Sequence, residues 1–268
     1  MNTPYADSSA LLEAPSADFV SSREVAPELV DFYRDNGFVR VRGIISRERA
    51  LELGRAANEF AAQGDDIANR AIFKQLVNVW RQNEAMRGLT LDPRIGTIAE
   101  QLASVPLRLW HDQLLIKTPR NGAATEWHQD QPFWPHADSS HPISMWIALC
   151  DVPVEKGCMT FLPGSHRRTD LRAQNLASAT SLFEICPDLI WESRVTLPLQ
   201  AGDCTFHHGR CAHSATPNLS DEARIAHVVI WVDATTTYTG STHIVTQPLG
   251  MEAGGPLEGE LFPRVRAG

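Results

Sequence analysis

Three stretches of the chain carry side chains whose types and spacing suit metal or anion chemistry. The first is Trp127-His128-Gln129-Asp130. On a strand, residues two apart share a face, so an H-x-D over 125–131 sets an imidazole beside a carboxylate as two metal ligands. Such a pair also arises by chance as a hydrogen-bonded surface pair and needs a third ligand. The second stretch, Gly202 to His213, opens on a tight Gly-Asp turn and carries His207, His208 and His213. A neighbouring strand could bring one of the three beside His128, and for His207 a core role is the better reading. Two histidines and one carboxylate form a facial triad that holds Fe(II) while leaving one side open to exchangeable ligands.

The third stretch is Ala223 to Val232, a strand led by Arg224, 11 residues beyond His213. A guanidinium on a buried strand is costly unless it meets an anion. Its fork suits a carboxylate, either an internal Asp or Glu or the far carboxylate of a chelating 2-oxo acid.

At this point the residues resemble a known family, the phytanoyl-CoA dioxygenase-like branch of the Fe(II)/2-oxoglutarate oxygenases, over roughly Val30 to Asp233. Three segments carry the resemblance: Trp127 to Trp134, Gly157 to His166 with its Leu-Pro-Gly-Ser-His close, and Gly202 to Arg224. It implies that His128, Asp130 and His213 ligate iron and that Arg224 receives 2-oxoglutarate, so the choice of His213 over His208 rests on this match and on the spacing to Arg224. Trp146 matches an aromatic position of the co-substrate pocket. Gln113 and Lys74 fall near co-substrate contacts, although Lys74 also reads as a helix-surface lysine. The middle segment is similar to a structural signature and is assigned no catalytic role. One departure stands out: many members carry a Ser two residues after the distal histidine, where this chain has Ala215, so Arg224 acts alone or with Thr216. The family's reaction consumes O2 and 2-oxoglutarate, releases succinate and CO2, and hydroxylates a C–H bond. The intact Asp130 argues against halogenation and leaves desaturation or ring closure as variants.

Positioning these groups requires a strand-rich scaffold. Pro27 opens a helix that ends at Asn36-Gly37, Phe38 to Val41 alternates as a strand, Ser46 caps a helix to about Gln63, and Asp92-Pro93 opens another toward Leu102. Strands are expected at 107–117, 125–131, 143–150, 158–162, 194–199, 203–208, 211–215 and 223–233. Helices first and short strands later point to an α+β, mainly β fold: a double-stranded β-helix (jelly-roll, cupin-like) core with helices packed outside. Residues 1–23 read as a flexible N-terminal arm and 24–268 as a single dioxygenase domain. Within it, 167–192 and 235–268 are expected to be active-site loops or a lid. Phe133, Trp134 and His208 are candidates for the substrate pocket.

The net charge of −8 argues against nucleic acid and anionic membranes as partners. The basic run His166 to Arg168 with Arg172 is the one hint of an anion patch. An acyl-CoA substrate would need a stronger one, which favours a small, largely apolar metabolite, as in secondary metabolism. Five cysteines without a C-x-x-C pair suggest neither a disulfide framework nor a zinc site. No secretory leader or membrane span is apparent, so a cytoplasmic monomer or homodimer is expected. Other classes that share the barrel are a non-enzymatic cupin-like binding protein, a zinc hydrolase and an inactive scaffold. The hydrolase and the binding protein have no need of Arg224, and the scaffold has no need of an intact ligand set.

Overall fold

Residues 24–63, 68–70, 73–136, 139–169 and 181–265 are described in a computed structural model of the chain. The expected N-terminal arm and Arg172 lie outside the described residues. Strands β1 (Phe38–Val41), β2 (Ala68–Arg70), β3 (Phe73–Val77), β4 (Leu107–Lys117), β5 (Thr125–His128) and β6 (Ile143–Ala148) are followed by β7 (Met159–Phe161), β8 (Val195–Leu197), β9 (Cys204–His208), β10 (His213–Ala215) and β11 (Arg224–Asp233). They form a seven-stranded sheet in the order β1-β9-β6-β11-β4-β3-β2 and a four-stranded sheet in the order β5-β10-β7-β8. All pairings are antiparallel, so the jelly-roll expectation holds as two sheets without a closed barrel among the described strands.

The helices follow from local chemistry. In α1 (Pro27–Asn36), Pro27 takes the first-turn position that lacks a hydrogen-bonding duty, and Gly37 closes the end in the left-handed region at φ 80°, its N–H donating to Tyr33 O. Ser46 Oγ accepts from Arg49 N at the start of α2 (Arg47–Gln63). Asn83 caps α3 (Glu84–Thr90), and Asp92 caps α4 (Pro93–Ala103). A fifth, short helix, α5, spans Leu182–Ile185.

The large sheet separates two cores. On its outer side Leu53 and Ala57 of α2, Met86 of α3 and Ile98 of α4 join Leu114, Met145, Val229 and Trp231. On its inner side Trp146, Ala148, Val228 and Ile230 meet Met159, Phe161 and Leu197 of the small sheet. Strand β4 would break this alternation were it regular. Leu107 and Leu109 face the helices, but the register against β11 slips at Trp110, a β-bulge. From there the phase reverses, so that His111, Gln113 and Leu115 line the inner cavity while Asp112, Leu114 and Ile116 look outward.

The elements not anticipated are β2, β3, α3 and α5, short segments without strong start or stop signals. Lys74 therefore sits on a strand, β3, rather than on a helix. The expected strand over 125–131 ends at His128, because Asp130 turns into helical backbone (φ −77°, ψ −47°) and starts a short 3₁₀ turn, Gln131–Phe133. Among the described residues no helix is long and apolar enough to cross a membrane.

Behind β4, Asp112 ties the outer layer together. Its Oδ2 accepts from Trp80 N at 2.9 Å and from the Thr90 hydroxyl at 2.8 Å, and His227 Nε2 lies 3.4 Å away. Burial pushes the Asp112 carboxyl up to about 7, against the bonds from Thr90 and Trp80, which favour the charge. A proton held more tightly in the folded chain stabilises it fully below the ordinary Asp range. That stabilisation is lost as pH climbs toward the folded value. Asp112→Asn removes this titration, so its unfolding free energy is expected to gain ~1–3 kcal/mol on the parent from about pH 5 to about pH 8, given ~1.4 kcal/mol per pKa unit. Urea titrations at the two pH values check this, and a gap independent of pH would contradict it.

Candidate metal centre and co-substrate pocket

His128 and His213 are direct cross-strand partners of β5 and β10. Their rings lie 4.3 Å apart, centroid to centroid. Each imidazole is oriented by the backbone: His128 Nδ1 donates to Glu126 O at 2.7 Å and His213 Nδ1 to Cys211 O at 2.9 Å, which leaves both Nε2 atoms as lone-pair donors. Asp130 joins them by a route other than strand alternation. Its turn is clipped to the β9–β10 loop, with Gln131 N donating to Gly209 O at 2.8 Å and the Gln129 amide to Arg210 O. Asp130 Oδ1 then stands 3.6 Å from His128 Nε2 and 3.9 Å from His213 Nε2. One ligand atom from each of the three residues lies within 4.8 Å of the others, the grouping a single ion requires.

The electrostatics suit a cation. Burial works to raise the Asp130 carboxyl, but His213, His128 and His207 outweigh it and hold it well below the usual carboxylate range. Burial foremost, then the neighbouring His128, lowers His213 to about 3. At neutral pH the carboxylate is therefore charged and the His213 imidazole neutral, the forms that ligate.

The Leu-Pro-Gly-Ser-His segment has a mechanical role here. Ser165 Oγ accepts from Ala212 N at 2.8 Å and donates to Leu162 O at 2.7 Å, which fixes the residue before His213. Phe161, the other cross-strand partner of His213, stacks on Phe38 at 4.6 Å and backs the ring.

Arg224 lines the same cavity, of about 480 Å³, at 2% exposure. Its guanidinium stands 5.3 Å over the Trp146 ring, which also lines the cavity, and one of its terminal nitrogens reaches Leu115 O at 3.4 Å. Its Nε is buried without a partner, and no carboxylate pairs with it among the described residues. Burial lowers its pKa to about 10, so it remains charged at neutral pH. Lys117, its cross-strand partner, is also buried and donates to Ala123 O and Thr216 O. Gly157, at φ 82°, passes so close that a Cβ there would stand 3.3 Å from Lys117 Cδ and 3.5 Å from Arg224 Nε. Burial, and then the neighbouring Arg224, lower the Lys117 pKa to about 7, so Arg224 is the standing cation of the pair. A buried guanidinium with no carboxylate partner among the described residues makes a receptor for an anionic ligand.

Of the other expected residues, Gln113, Phe133 and Trp134 line the cavity and three do not. Lys74 points away from it on β3, donating to Ala61 O, while its neighbours Phe73 and Gln75 line the wall. The Thr216 hydroxyl donates to Val154 O instead of facing Arg224. His208 accepts from Arg210 N at its Nδ1 and bonds Ser140 O through Nε2, a structural role, whereas His207 lines the cavity with Nε2 3.6 Å from Asp130 Oδ2. The parts assigned to these two histidines are thus reversed, because β9 pairs with β6 in the register that turns His207 inward.

The tail 235–268, expected to be an active-site loop or lid, does bring Thr242, His243 and Ile244 to the cavity wall, although the sequence singled out none of the three. His111 was missed because the bulge at Trp110 hides its direction. Among the described residues of 167–192 none lines the cavity. The basic run is spent on local bonds, with His166 to Arg34 O, Arg167 to Asp35 O and Arg168 to Asp188.

Comparison with known proteins places this geometry in context. The profile described as Phytanoyl-CoA dioxygenase (PhyH) matches residues 33–226. A mouse (Mus musculus) protein, phytanoyl-CoA dioxygenase domain-containing protein 1, is 29% identical over 157 residues, 56% of this chain and 54% of its own length. The chain thus spans about half the length of that curated relative. A probable alpha-ketoglutarate-dependent hypophosphite dioxygenase of Stutzerimonas stutzeri is 24% identical over 209 residues, covering 70% of this chain and 72% of that protein. Among solved structures, the non-haem alpha-ketoglutarate-dependent carbocyclase SnoK from nogalamycin biosynthesis superposes with a TM-score of 0.82 at 34% identity, covering 94% of this chain and 100% of that one. The epimerase SnoN, solved with Fe3+, alpha-ketoglutarate and nogalamycin RO, gives 0.78 at 34% identity, covering 89% and 97%.

The triad geometry predicts distinct metal affinities. His128→Ala, Asp130→Ala and His213→Ala are each expected to weaken Fe(II) or Co(II) binding by on the order of 10²-fold or more, while His207→Ala and His208→Ala retain one ion per chain. Anaerobic equilibrium dialysis checks this, and retention of the ion by the His213 variant would remove that residue from the ligand set.

Proposed function

The chain belongs to the phytanoyl-CoA dioxygenase family, and we propose that it is an Fe(II)- and 2-oxoglutarate-dependent oxygenase that hydroxylates an unactivated C–H of a small, largely apolar metabolite, releasing succinate and CO2. The observation that carries the reading is the pairing, in one cavity, of a two-histidine, one-carboxylate cluster with a buried arginine that lacks an internal anion.

The residues fit both iron and the oxo-acid. Two neutral imidazole nitrogens and one carboxylate oxygen suit Fe(II), and Arg224 offers the fork that a far carboxylate of 2-oxoglutarate would take. When bound, the iron and its oxo-acid co-substrate supply the oxidising power, using O2. The chain's own work is placement. His128, Asp130 and His213 would hold the ion at the cavity wall. Arg224 would take the far carboxylate of the co-substrate, and Trp146, stacked beside the guanidinium, would bound its slot. Phe133, Trp134, Met159, Val228 and Ile230 give the remaining cavity apolar walls that exclude water around a substrate C–H. Gln113 contributes a wall amide rather than a charge. A CoA thioester is disfavoured because the basic residues near 166–168 are engaged elsewhere. Residues 24–268 act as one domain on a small molecule in the cytoplasm, as a monomer or homodimer without a nucleic-acid partner.

A second reading keeps the same site and changes the outcome. Similarity to a carbocyclase and an epimerase, each at 34% identity, favours ring closure or stereochemical inversion at the activated carbon as the alternative to hydroxylation.

Anaerobic addition of Fe(II) and 2-oxoglutarate is expected to give a weak visible charge-transfer band, and air to yield succinate. Loss of one carboxylate clamp costs a few kcal/mol, so Arg224→Ala should raise the KM for 2-oxoglutarate by on the order of 10²-fold. Neither band nor succinate from the parent protein would overturn the oxygenase reading.

A further inference from the structure

The cavity holds a second pair of imidazoles that neither the metal nor the co-substrate employs: His111 and His243, with ring centroids 5.7 Å apart. His111 is 1% exposed. It faces the cavity only because of the bulge at Trp110, since unbroken alternation from Leu107 and Leu109 would turn it toward the helices.

Neighbouring amides determine which of its nitrogens carries the proton. Gln75 Nε2 donates to Gln113 Oε1 at 2.8 Å, which turns the Gln113 amide nitrogen toward His111, and Gln113 Nε2 donates in turn to His111 Nε2 at 2.8 Å. His111 Nε2 is therefore an acceptor. Burial first, and then His243 and His136, hold the ring neutral, so its proton resides on Nδ1. That N–H is buried and has no partner among the described residues. An unpaired buried donor costs about 1–3 kcal/mol, which an incoming acceptor would relieve. His243 reaches the same state by a different route. Val245 N donates to its Nδ1 at 3.2 Å, and burial lowers its pKa to about 4, so a neutral ring keeps its proton on Nε2.

We propose that His111 and His243 form a two-donor subsite for a neutral carbonyl oxygen, and that the substrate is a largely apolar ring compound bearing a ketone or quinone-type oxygen. Two uncharged N–H donors suit an sp² oxygen with two lone pairs and give no charge advantage to a carboxylate or phosphate. The aromatic walls Phe133, Trp134 and Trp146 suit a ring. The inference rests on the proposed function for calling this ligand the substrate, and the recognition chemistry stands on its own.

The test uses α-tetralone and tetralin, redox-inert rings of one skeleton with and without the carbonyl, titrated calorimetrically into the anaerobic Fe(II)/2-oxoglutarate protein. The ketone is expected to bind on the order of 10-fold more tightly, one net hydrogen bond's worth. His111→Phe and His243→Phe should each reduce that preference while keeping the charge-transfer band, which reports an intact fold and metal site. Imidazole ¹⁵N shifts should show His111 protonated on Nδ1. Equal affinities, a preference that survives both substitutions, or a proton on Nε2 of His111 would overturn the subsite. A ketone preference in a protein that forms no charge-transfer band would instead support the subsite and sink the oxygenase reading.

Discussion

The pairing of β5 with β10, which sets His128 opposite His213, is the constraint on which the rest of the site depends. The two residues are 85 apart in sequence, so nothing local brings them together. What does is a strand of three residues held on both sides, by β5 at one edge and β7 at the other, with Ser165 securing the residue before it. A short strand can hold register here because β7 beside it is buried throughout and because Phe161 fills the space behind the rings. Asp130 completes the set from a turn, and that turn is anchored to the loop that leads into β10. All three ligands are thus referred to one small piece of backbone.

The facing sheet supplies everything else, through alternation on its inner side. Arg224 and Lys117 stand side by side at one end of the β11–β4 pair, and His111 and Ile230 stand at the other. The inner side can be this polar because helices cover the outer side, where Asp112 bonds Trp80 N and the Thr90 hydroxyl, and Thr90 in turn meets His227. The desolvation of Arg224 is a cost the fold carries, and an anionic ligand offsets it on binding.

Much of this was legible in the sequence where a residue's role is local. Pro27, Gly37, Ser46 and Asp92 marked helix ends, and the long strands β4 and β11 were bounded as expected, because capping and β-branched alternation are short-range signals. The ligand set was legible through the family resemblance, which joins the H-x-D pair to the offset from His213 to Arg224 in linear order. The reasons, however, did not all transfer. Asp130 was expected to share a strand face with His128 and instead reaches the site through a helical turn. The failures at His207 and His208, Lys74 and Thr216 share a cause: which way a strand residue points depends on register with a partner strand, and a single position of slip exchanges the two faces. His111 was hidden for the same reason in reverse, by a bulge that no residue type announces. His243 lies on a tail without periodicity, where only tertiary packing decides placement.

The central claim is that one ion sits on His128, Asp130 and His213 with a dicarboxylate reaching from it to Arg224. A crystal structure grown anaerobically with Fe(II) and 2-oxoglutarate tests it most directly. The account predicts an anomalous iron peak in bonding contact with Nε2 of both histidines and with the Asp130 carboxylate, and a carboxylate seated on the Arg224 guanidinium. Iron bound through His207 or His208 in place of His213, or an Arg224 that remains without an anion in the loaded protein, would contradict it.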